Sequence, residues 1–218
     1  MMTAHDLQHI EKLTDAIEGW FSAEEGRAFY HIAKSCSDGS AIVEIGSWQG
    51  KSTVWIAKGI KASQKEIKFY AIDPHIGSKE HQKGEKVWTF EKFKENMAKA
   101  SVEDVVTPLV KYSDDALKDV ERGIDFLFID GAHDYESVKN DFVGWFPKVN
   151  DGGMIAFHDS TWPGVKRVLT EMVYPHEFVT QAKMVQGTTI VTKSGQKANF
   201  TQRLQKRLRS FQFQLFRK

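Results

Sequence analysis

The ten residues Glu44 to Thr53, EIGSWQGKST, decide how the chain is read. They run into Gly50-Lys51-Ser52, which has the look of a nucleoside-triphosphate loop. Such a loop needs four residues between its first glycine and the Gly-Lys pair, and Gly46 and Gly50 enclose only three. A dinucleotide fingerprint fails as well, because Trp48 stands where its middle glycine belongs. The shortened loop cannot wrap a triphosphate in the usual way. The reading left is that the glycines serve another ligand, while Lys51 and Ser52 open a helix.

The flanking sequence supplies the frame. Strand-like runs lie at 41–46, 67–73, 105–112, 124–130, 153–159, 177–185 and 188–193. Helical patterns occupy roughly 51–61, 86–100, 114–121, 134–147 and 163–173. Strand and helix in strict alternation mean parallel pairing with right-handed crossovers. Only Gln186-Gly187 joins the last two strands, the mark of a hairpin. The expected fold class is therefore α/β: a seven-stranded, mostly parallel sheet ending in an antiparallel hairpin, with helices on both faces. Before it, Leu7, Ile10, Leu13 and Ile17 step at helical intervals, and Ser22 with Glu25 forms a capping box. Three segments are expected: N-terminal helices at 1–36, a ligand-binding domain at 37–196 and a basic amphipathic helix at 197–218.

In such a sheet, ligands bind beyond the carboxyl ends of the strands. Those ends carry Glu44-Ile45-Gly46, Asp73-Pro74-His75, Tyr112-Ser113-Asp114, Asp130-Gly131-Ala132-His133 and His158-Asp159-Ser160. A purely structural sheet has no need of so many acids and histidines on one rim. Asp73, 23 residues after Gly50, ends the second strand, where an acid takes the two hydroxyls of a ribose. The alternative is a turn residue before Pro74. Glycines in the first loop are expected to let the backbone approach that ligand, since a Cβ would collide.

Composition narrows the classes. The 218 residues are 41% hydrophobic and 27% charged, ordinary for a globular protein with one full core. The formal net charge of +1 gives no general case for nucleic acid. Residues 197–218 nevertheless hold seven basic side chains and no acid, leaving −6 on the rest. A single cysteine, Cys36, precludes an internal disulfide and fits a reducing, cytoplasmic setting. The N-terminus does not read as a signal peptide, and no apolar run approaches the ~20 residues of a membrane span.

The motif Glu-x-Gly-x-x-x-Gly followed by an acid ending strand two resembles the class I S-adenosylmethionine-dependent methyltransferases. With "FYAIDPH", "FLFIDGAHDYESVKNDFVGWFPKVNDGGMIAFHDS" and "GWFSAEEGRAFYHIA", residues 18–193 are similar to a bacterial family of small O-methyltransferases. That family is related to catechol O-methyltransferase and to macrolide-sugar O-methyltransferases. The resemblance implies that Glu44, Gly46, Ser47 and Gly50 line the methionine and ribose side of S-adenosylmethionine. It places Asp73 on the ribose, Ser113 and Asp114 by the adenine, and Asp130 beside the cofactor as well. Asp114 also suits an N-cap of the helix at 115–121. Lys51 and Ser52 become the first turn of a helix whose amino end faces the cofactor, with Lys51→Ala expected to matter little.

The same resemblance sets Asp130, His158 and Asp159 at a divalent-cation site and His133 at the position of the catalytic base. Mg²⁺ or Mn²⁺ is expected there, although His158 replaces a carboxylate and Asp159 a carboxamide, a set that suits Mg²⁺ less purely and also admits Fe²⁺ or Zn²⁺. His133, with an ordinary pKa near ~6.5, suits a general base, or it is a fourth ligand. Asp130 and His133 are thus the catalytic candidates. His75, Trp88, Trp162 and Tyr135 are candidates for the wall around a small-molecule or sugar acceptor. The polar loop 76–88, with His81, reads as a lid or a solvated connection. The basic tail, with Phe200, Leu204, Leu208, Phe211 and Leu215 in helical steps, is expected to dock on the body or pair two subunits into a homodimer. A peripheral membrane contact is its alternative, and nucleic-acid binding is not expected. Rival functions are an ATP-binding kinase using Lys51, a silent cofactor-binding module and a membrane-associated glycan-modifying enzyme.

Overall fold

The computed structural model describes residues 4–78, 87–121, 123–199, 201–203 and 205–206. Two helices lead, α1 (Ala4–Asp15) and α2 (Ala23–Ser35). The alternating body follows as β1 (Ala41–Ile45), α3 (Lys51–Ser63), β2 (Lys68–Ile72), α4 (Phe90–Ala100) and β3 (Val106–Leu109). It continues as α5 (Ser113–Ala116), β4 (Ile124–Ile129), α6 (Tyr135–Trp145), β5 (Val149–Phe157) and α7 (Pro163–Val168). The closing hairpin is β6 (Val179–Val185) and β7 (Thr188–Lys193).

The seven strands lie in the order β3-β2-β1-β4-β5-β7-β6. β1 to β5 pair in parallel, while β7 runs antiparallel between β5 and β6. The expected parallel sheet with a terminal hairpin is what forms. The strand order reverses direction at β1 and β4, so a crevice opens between their carboxyl ends.

Alternation within the strands divides the core between two faces. Ile42, Phe126 and Phe128 face α1, α2 and α3, where Phe29 meets Phe126 and Phe128 edge-on at 4.9 and 4.7 Å. Val43, Ile45, Leu127 and Ile129 face the other way, onto Val138, Phe142 and Trp145 of α6. Each such fully buried side chain contributes about 1.5–3 kcal/mol.

Element ends depart from expectation for local reasons. Strand three stops at Leu109 rather than 112, because Lys111 N–H turns back to the Leu109 carbonyl at 2.9 Å. Its Pro108 is tolerated because β3 is an edge strand. The helix expected over 114–121 is one turn, Ser113–Ala116, with Tyr112 at its N-cap position. Asp114 lies inside that turn and is not its N-cap. The Ser22–Glu25 capping box is present: Ser22 N–H donates to Glu25 Oε2 at 2.9 Å, and Glu25 N–H donates to Ser22 Oγ at 3.2 Å. Of the tail, Lys206 is buried and donates to the carbonyls of His176, at 2.8 Å, and Val179. Phe200, Leu204, Leu208, Phe211 and Leu215 lie outside the described residues, as does His81. No helix among the described residues is long and apolar enough to cross a membrane.

Candidate active site

A cleft of about 490 Å³ opens at the carboxyl ends of the strands. Its floor is the loop quoted above. β1 is pinned there on both sides, by Gly46 N–H to the Ile72 carbonyl and Asp130 N–H to the Ile45 carbonyl, each at 2.8 Å. Gly46 has φ +88°, and a Cβ on it would lie 2.2 Å from the Asp130 carbonyl oxygen. Gly50 has φ +90°, and its Cβ would lie 2.3 Å from Met97 Cε. Both glycines are therefore required by the chain's own packing and by left-handed backbone. Gly46 borders the cleft; Gly50 sits beneath it as the N-cap residue of α3.

Glu44 is placed differently from the expectation. It is fully buried at 0% exposure, below the loop, and does not line the cleft. Ser52 and Thr53 hydroxyls donate to its two carboxylate oxygens at 2.5 and 2.6 Å. Burial pushes its carboxyl up to about 8 despite those hydroxyls. Glu44 thus staples the first turn of α3 to β1.

Asp73 stands at the end of β2, 8% exposed and bordering the cleft. Trp48 N–H donates to its Oδ2 at 2.7 Å and His75 N–H to its Oδ1 at 2.6 Å. These amides hold the carboxylate in one orientation, and each oxygen keeps a further lone pair for a diol. His75, expected on an acceptor wall, is instead buried behind Asp73 with Nδ1 2.8 Å from Thr89 Oγ1.

Beyond β3, Ser113 and Asp114 border the cleft, with Asp114 exposed. Ser113 Oγ donates to Asp141 Oδ1. Asp141, on α6, also borders the cleft; burial pushes its carboxyl up to about 6. No motif marks it in the sequence, because a lone acid in a helix pattern looks like solvated surface.

β4 and β5 deliver four groups to one wall. His133 Nε2 is 3.1 Å from Asp159 Oδ2 and 4.0 Å from Asp130 Oδ1. His158 Nδ1 is 3.1 Å from Asp130 Oδ1 and 3.3 Å from Asp159 Oδ2. His158 is only 6% exposed, and its Nε2 looks back to Glu25 Oε1 at 3.6 Å. Glu25 is fixed in turn by the Thr188 hydroxyl at 2.7 Å. Burial raises the Asp130 carboxyl, opposed by His158. Burial would lower His158, but Asp130 and Asp159 outweigh it and push the imidazole up to about 11. Burial would likewise raise Asp159, but contacts from His133 and His158 hold it well below the usual range.

Among the described residues, Asp130, His133 and Asp159 offer one donor atom each within 4.8 Å of one another. Donors at right angles about 2.1 Å from a small divalent ion lie about 3 Å apart. The contacts of Asp159 Oδ2 with His133 and of His158 Nδ1 with Asp130 and Asp159 are near that figure, the His133–Asp130 separation of 4.0 Å is longer, and the compact grouping takes His133 where His158 was expected. Their set, carboxylate oxygen with imidazole nitrogen, suits Mn²⁺, Fe²⁺ and Zn²⁺ as well as Mg²⁺.

A further part of the lining comes from the linker between α1 and α2: Glu18, Gly19, Trp20 and Phe21 all border the cleft. Trp20 is 66% exposed, with its ring 6.3 Å from that of Trp48. Phe21 packs on His158 at 5.8 Å. Of the aromatics expected at the acceptor wall, Trp162 packs against His133, with ring centroids 4.6 Å apart and planes tilted by 41°. Tyr135 turns to Glu171 and Arg167, and Trp88 packs near His75 and Phe90. The Trp-Phe pair of the linker lies in the stretch GWFSAEEGRAFYHIA, directly before the capping box, but no residue pattern there assigned it to the cleft.

Known proteins agree with this architecture. A family model described as "Methyltransferase domain" matches residues 43–160, more than half of the chain. An uncharacterised protein of Acanthamoeba polyphaga mimivirus, R132, is 33% identical over 150 residues, covering 62% of this chain and 61% of the relative. Protein y4gI of Sinorhizobium fredii is 30% identical over 125 residues, 55% of this chain and 13% of its own length. The chain thus spans less than two thirds of either curated relative. Among solved structures, the O-methyltransferase TomG of Streptomyces achromogenes, in complex with SAM, superposes with a TM-score of 0.61 at 16% identity, covering 89% of this chain and 92% of TomG. An O-methyltransferase of Bacillus cereus in complex with SAH does so at 0.62 and 18% identity, covering 88% and 93%. The chain belongs to the methyltransferase-domain family and has the class I S-adenosylmethionine-dependent methyltransferase fold.

Proposed function

We propose that the protein transfers a methyl group from S-adenosylmethionine to a hydroxyl oxygen of a small molecule or sugar, with a divalent cation assisting. The observation that carries this reading is the meeting of Asp130, His133, His158 and Asp159 on the wall of the cleft whose floor holds Asp73. The sulfonium of the donor supplies the electrophilic methyl group. A cation, when bound, would lower the pKa of the acceptor hydroxyl and fix its position. Asp130, Asp159 and His158 are the residues to hold it. His133 receives the hydroxyl proton at the ring nitrogen that Asp159 does not engage, while Asp159 Oδ2, 3.1 Å from Nε2, orients the ring and stabilises the imidazolium. Asp73 binds the ribose diol, and Ser113 and Asp114 approach the adenine. The exposed faces of Trp20 and Trp48 hold the acceptor and exclude water from the reacting atoms.

A second arrangement is favoured by the compact grouping of Asp130, His133 and Asp159. There His133 is a cation ligand, and His158 remains sealed behind the carboxylates. An ATP-binding reading finds no support, because the Ser52 hydroxyl, which a phosphate loop gives to magnesium, is donated to buried Glu44.

The test is turnover on a panel of phenols, sugars and hydroxy acids, with excess EDTA or with added Mg²⁺ or Mn²⁺. Methyl transfer lost on chelation and restored by metal supports the reading. Full turnover in EDTA removes the cation from it, and no binding of the methyl donor removes the whole.

A further inference from the structure

Glu25 is the third residue of α2, where a capping-box acid needs one carboxylate oxygen. Here the side chain is only 3% exposed and both oxygens are engaged. Oε2 accepts from the Ser22 amide at 2.9 Å and from the Ser22 hydroxyl at 2.7 Å. Oε1 accepts from the Thr188 hydroxyl at 2.7 Å and faces His158 Nε2 at 3.6 Å. Among the described residues, His158 is the one basic side chain within ion-pair distance of Glu25. Burying a carboxylate is costly unless it is paired and hydrogen-bonded. Capping alone does not ask for that burial, since an acid in a first turn can cap from the surface.

The His158 ring packs against Phe21 and Phe128, with centroids 5.8 and 6.2 Å away. Apolar rings restrict its plane but not which edge faces the cleft. An imidazole has two orientations related by a half-turn about its Cβ–Cγ bond, close in shape and different in polarity. In the one observed, Nδ1 meets Asp130 Oδ1 at 3.1 Å and Asp159 Oδ2 at 3.3 Å, while Nε2 meets Glu25. A half-turn would put ring carbons against Asp130, Asp159 and Glu25 alike. The polar groups on the two edges thus favour the same orientation.

We propose that Glu25 is a positioning residue for His158, holding the ring so that Nδ1 stays aimed at the carboxylates of the cleft wall, ready to take a divalent cation. The proposal rests on the reading above in which Asp130, His158 and Asp159 hold that cation. A metal-binding histidine is commonly oriented by a carboxylate at its other ring nitrogen. Because Oε2 holds Ser22, the same carboxylate also ties the linker carrying Trp20 and Phe21 to this ring.

Two readouts on the full chain test this: Mn²⁺ affinity by electron paramagnetic resonance, and the His158 Nε2–H signal in ¹⁵N spectra of the metal-free protein. Glu25→Ala is expected to weaken Mn²⁺ binding by about tenfold or more and to lose the ring signal to exchange. Glu25→Gln still caps the helix and offers Nε2 a carbonyl oxygen, so it is expected to recover most of both. Ser22→Ala removes the capping hydroxyl but leaves Oε1 against His158. Its urea midpoint is expected to fall while Mn²⁺ affinity stays within about twofold and the ring signal persists. Should Glu25→Ala not fold, Thr188→Val, which frees Oε1, is expected to weaken Mn²⁺ binding by about threefold. Unchanged Mn²⁺ affinity in Glu25→Ala, a ring signal that persists there, or a loss in Ser22→Ala as large as in Glu25→Ala overturns the positioning role. Wild-type protein that binds no Mn²⁺ refutes the cation reading instead, and the ring signal then decides by itself whether Glu25 holds His158.

Discussion

His133 Nε2 lies 3.1 Å from Asp159 Oδ2, joining the loop after β4 to the end of β5 across the wall of the cleft. In the proposed mechanism this contact pairs a base with its orienting acid, drawn from two strands. His133→Ala is expected to lower kcat by about 10²–10⁴-fold, the usual range for a lost general base. Donor affinity should stay within about twofold. If His133 is a cation ligand instead, the variant will show weakened metal affinity in a Mn²⁺ titration, and activity will return at high metal.

Chelation separates the cofactor from the cation. Dialysis against EDTA is expected to abolish turnover while leaving S-adenosylhomocysteine affinity unchanged. Asp73 is fixed by the Trp48 and His75 amides and owes nothing to the four groups of the far wall. A loss of nucleoside binding on chelation would contradict this separation.

Asp73→Asn should weaken donor binding by about tenfold or more, since a hydrogen bond to a charged group contributes ~1.5–3 kcal/mol. Unfolding stability should change less than for Asp73→Ala, because the amide oxygen can still accept from one of the two backbone N–H groups. Calorimetry with S-adenosylhomocysteine and urea unfolding of the same preparations give both readouts. Undiminished affinity in Asp73→Asn would remove the ribose role.

Gly46→Ala should destabilise the fold by about 2 kcal/mol or more, because a non-glycine residue at φ +88° is strained and its Cβ meets the Asp130 carbonyl. Donor binding should fall with it, as relief of the clash moves Asp130. A urea midpoint equal to that of wild type would show that the β1–β4 contact is looser than described.

Glu44 sets a pH dependence. Its carboxyl lies near 4.5 ordinarily and is pushed up to about 8 in the fold. Between those values the folded protein binds more protons than the unfolded chain, so stability from this group falls as pH rises. Asp141, raised to about 6, acts with the same sign at lower pH. Glu44→Gln cannot ionise. Its decline in urea stability from pH 6.5 to 8.5 should be shallower than that of wild type, and an equal slope would rule out the buried, proton-linked Glu44.

The sequence by itself determined the α/β alternation, the seven strands and the terminal hairpin. Hydrophobic period and turn residues act over a few positions, and parallel pairing follows from the crossovers. It also determined which strand ends carry acids and histidines, since a ligand site in such a sheet lies on that rim. Strand order and side-chain contacts decided the rest. Only the tertiary structure showed that Gly46 is kept small by the Asp130 carbonyl, because that contact joins β1 to β4. Only it put Glu44 under the loop instead of in the cleft, because a strand residue's facing depends on what packs above it. Trp20, Trp48 and Asp141 became cleft residues for the same reason. Helices and loops distant in sequence share one wall once the sheet has folded, and no local spacing records that approach.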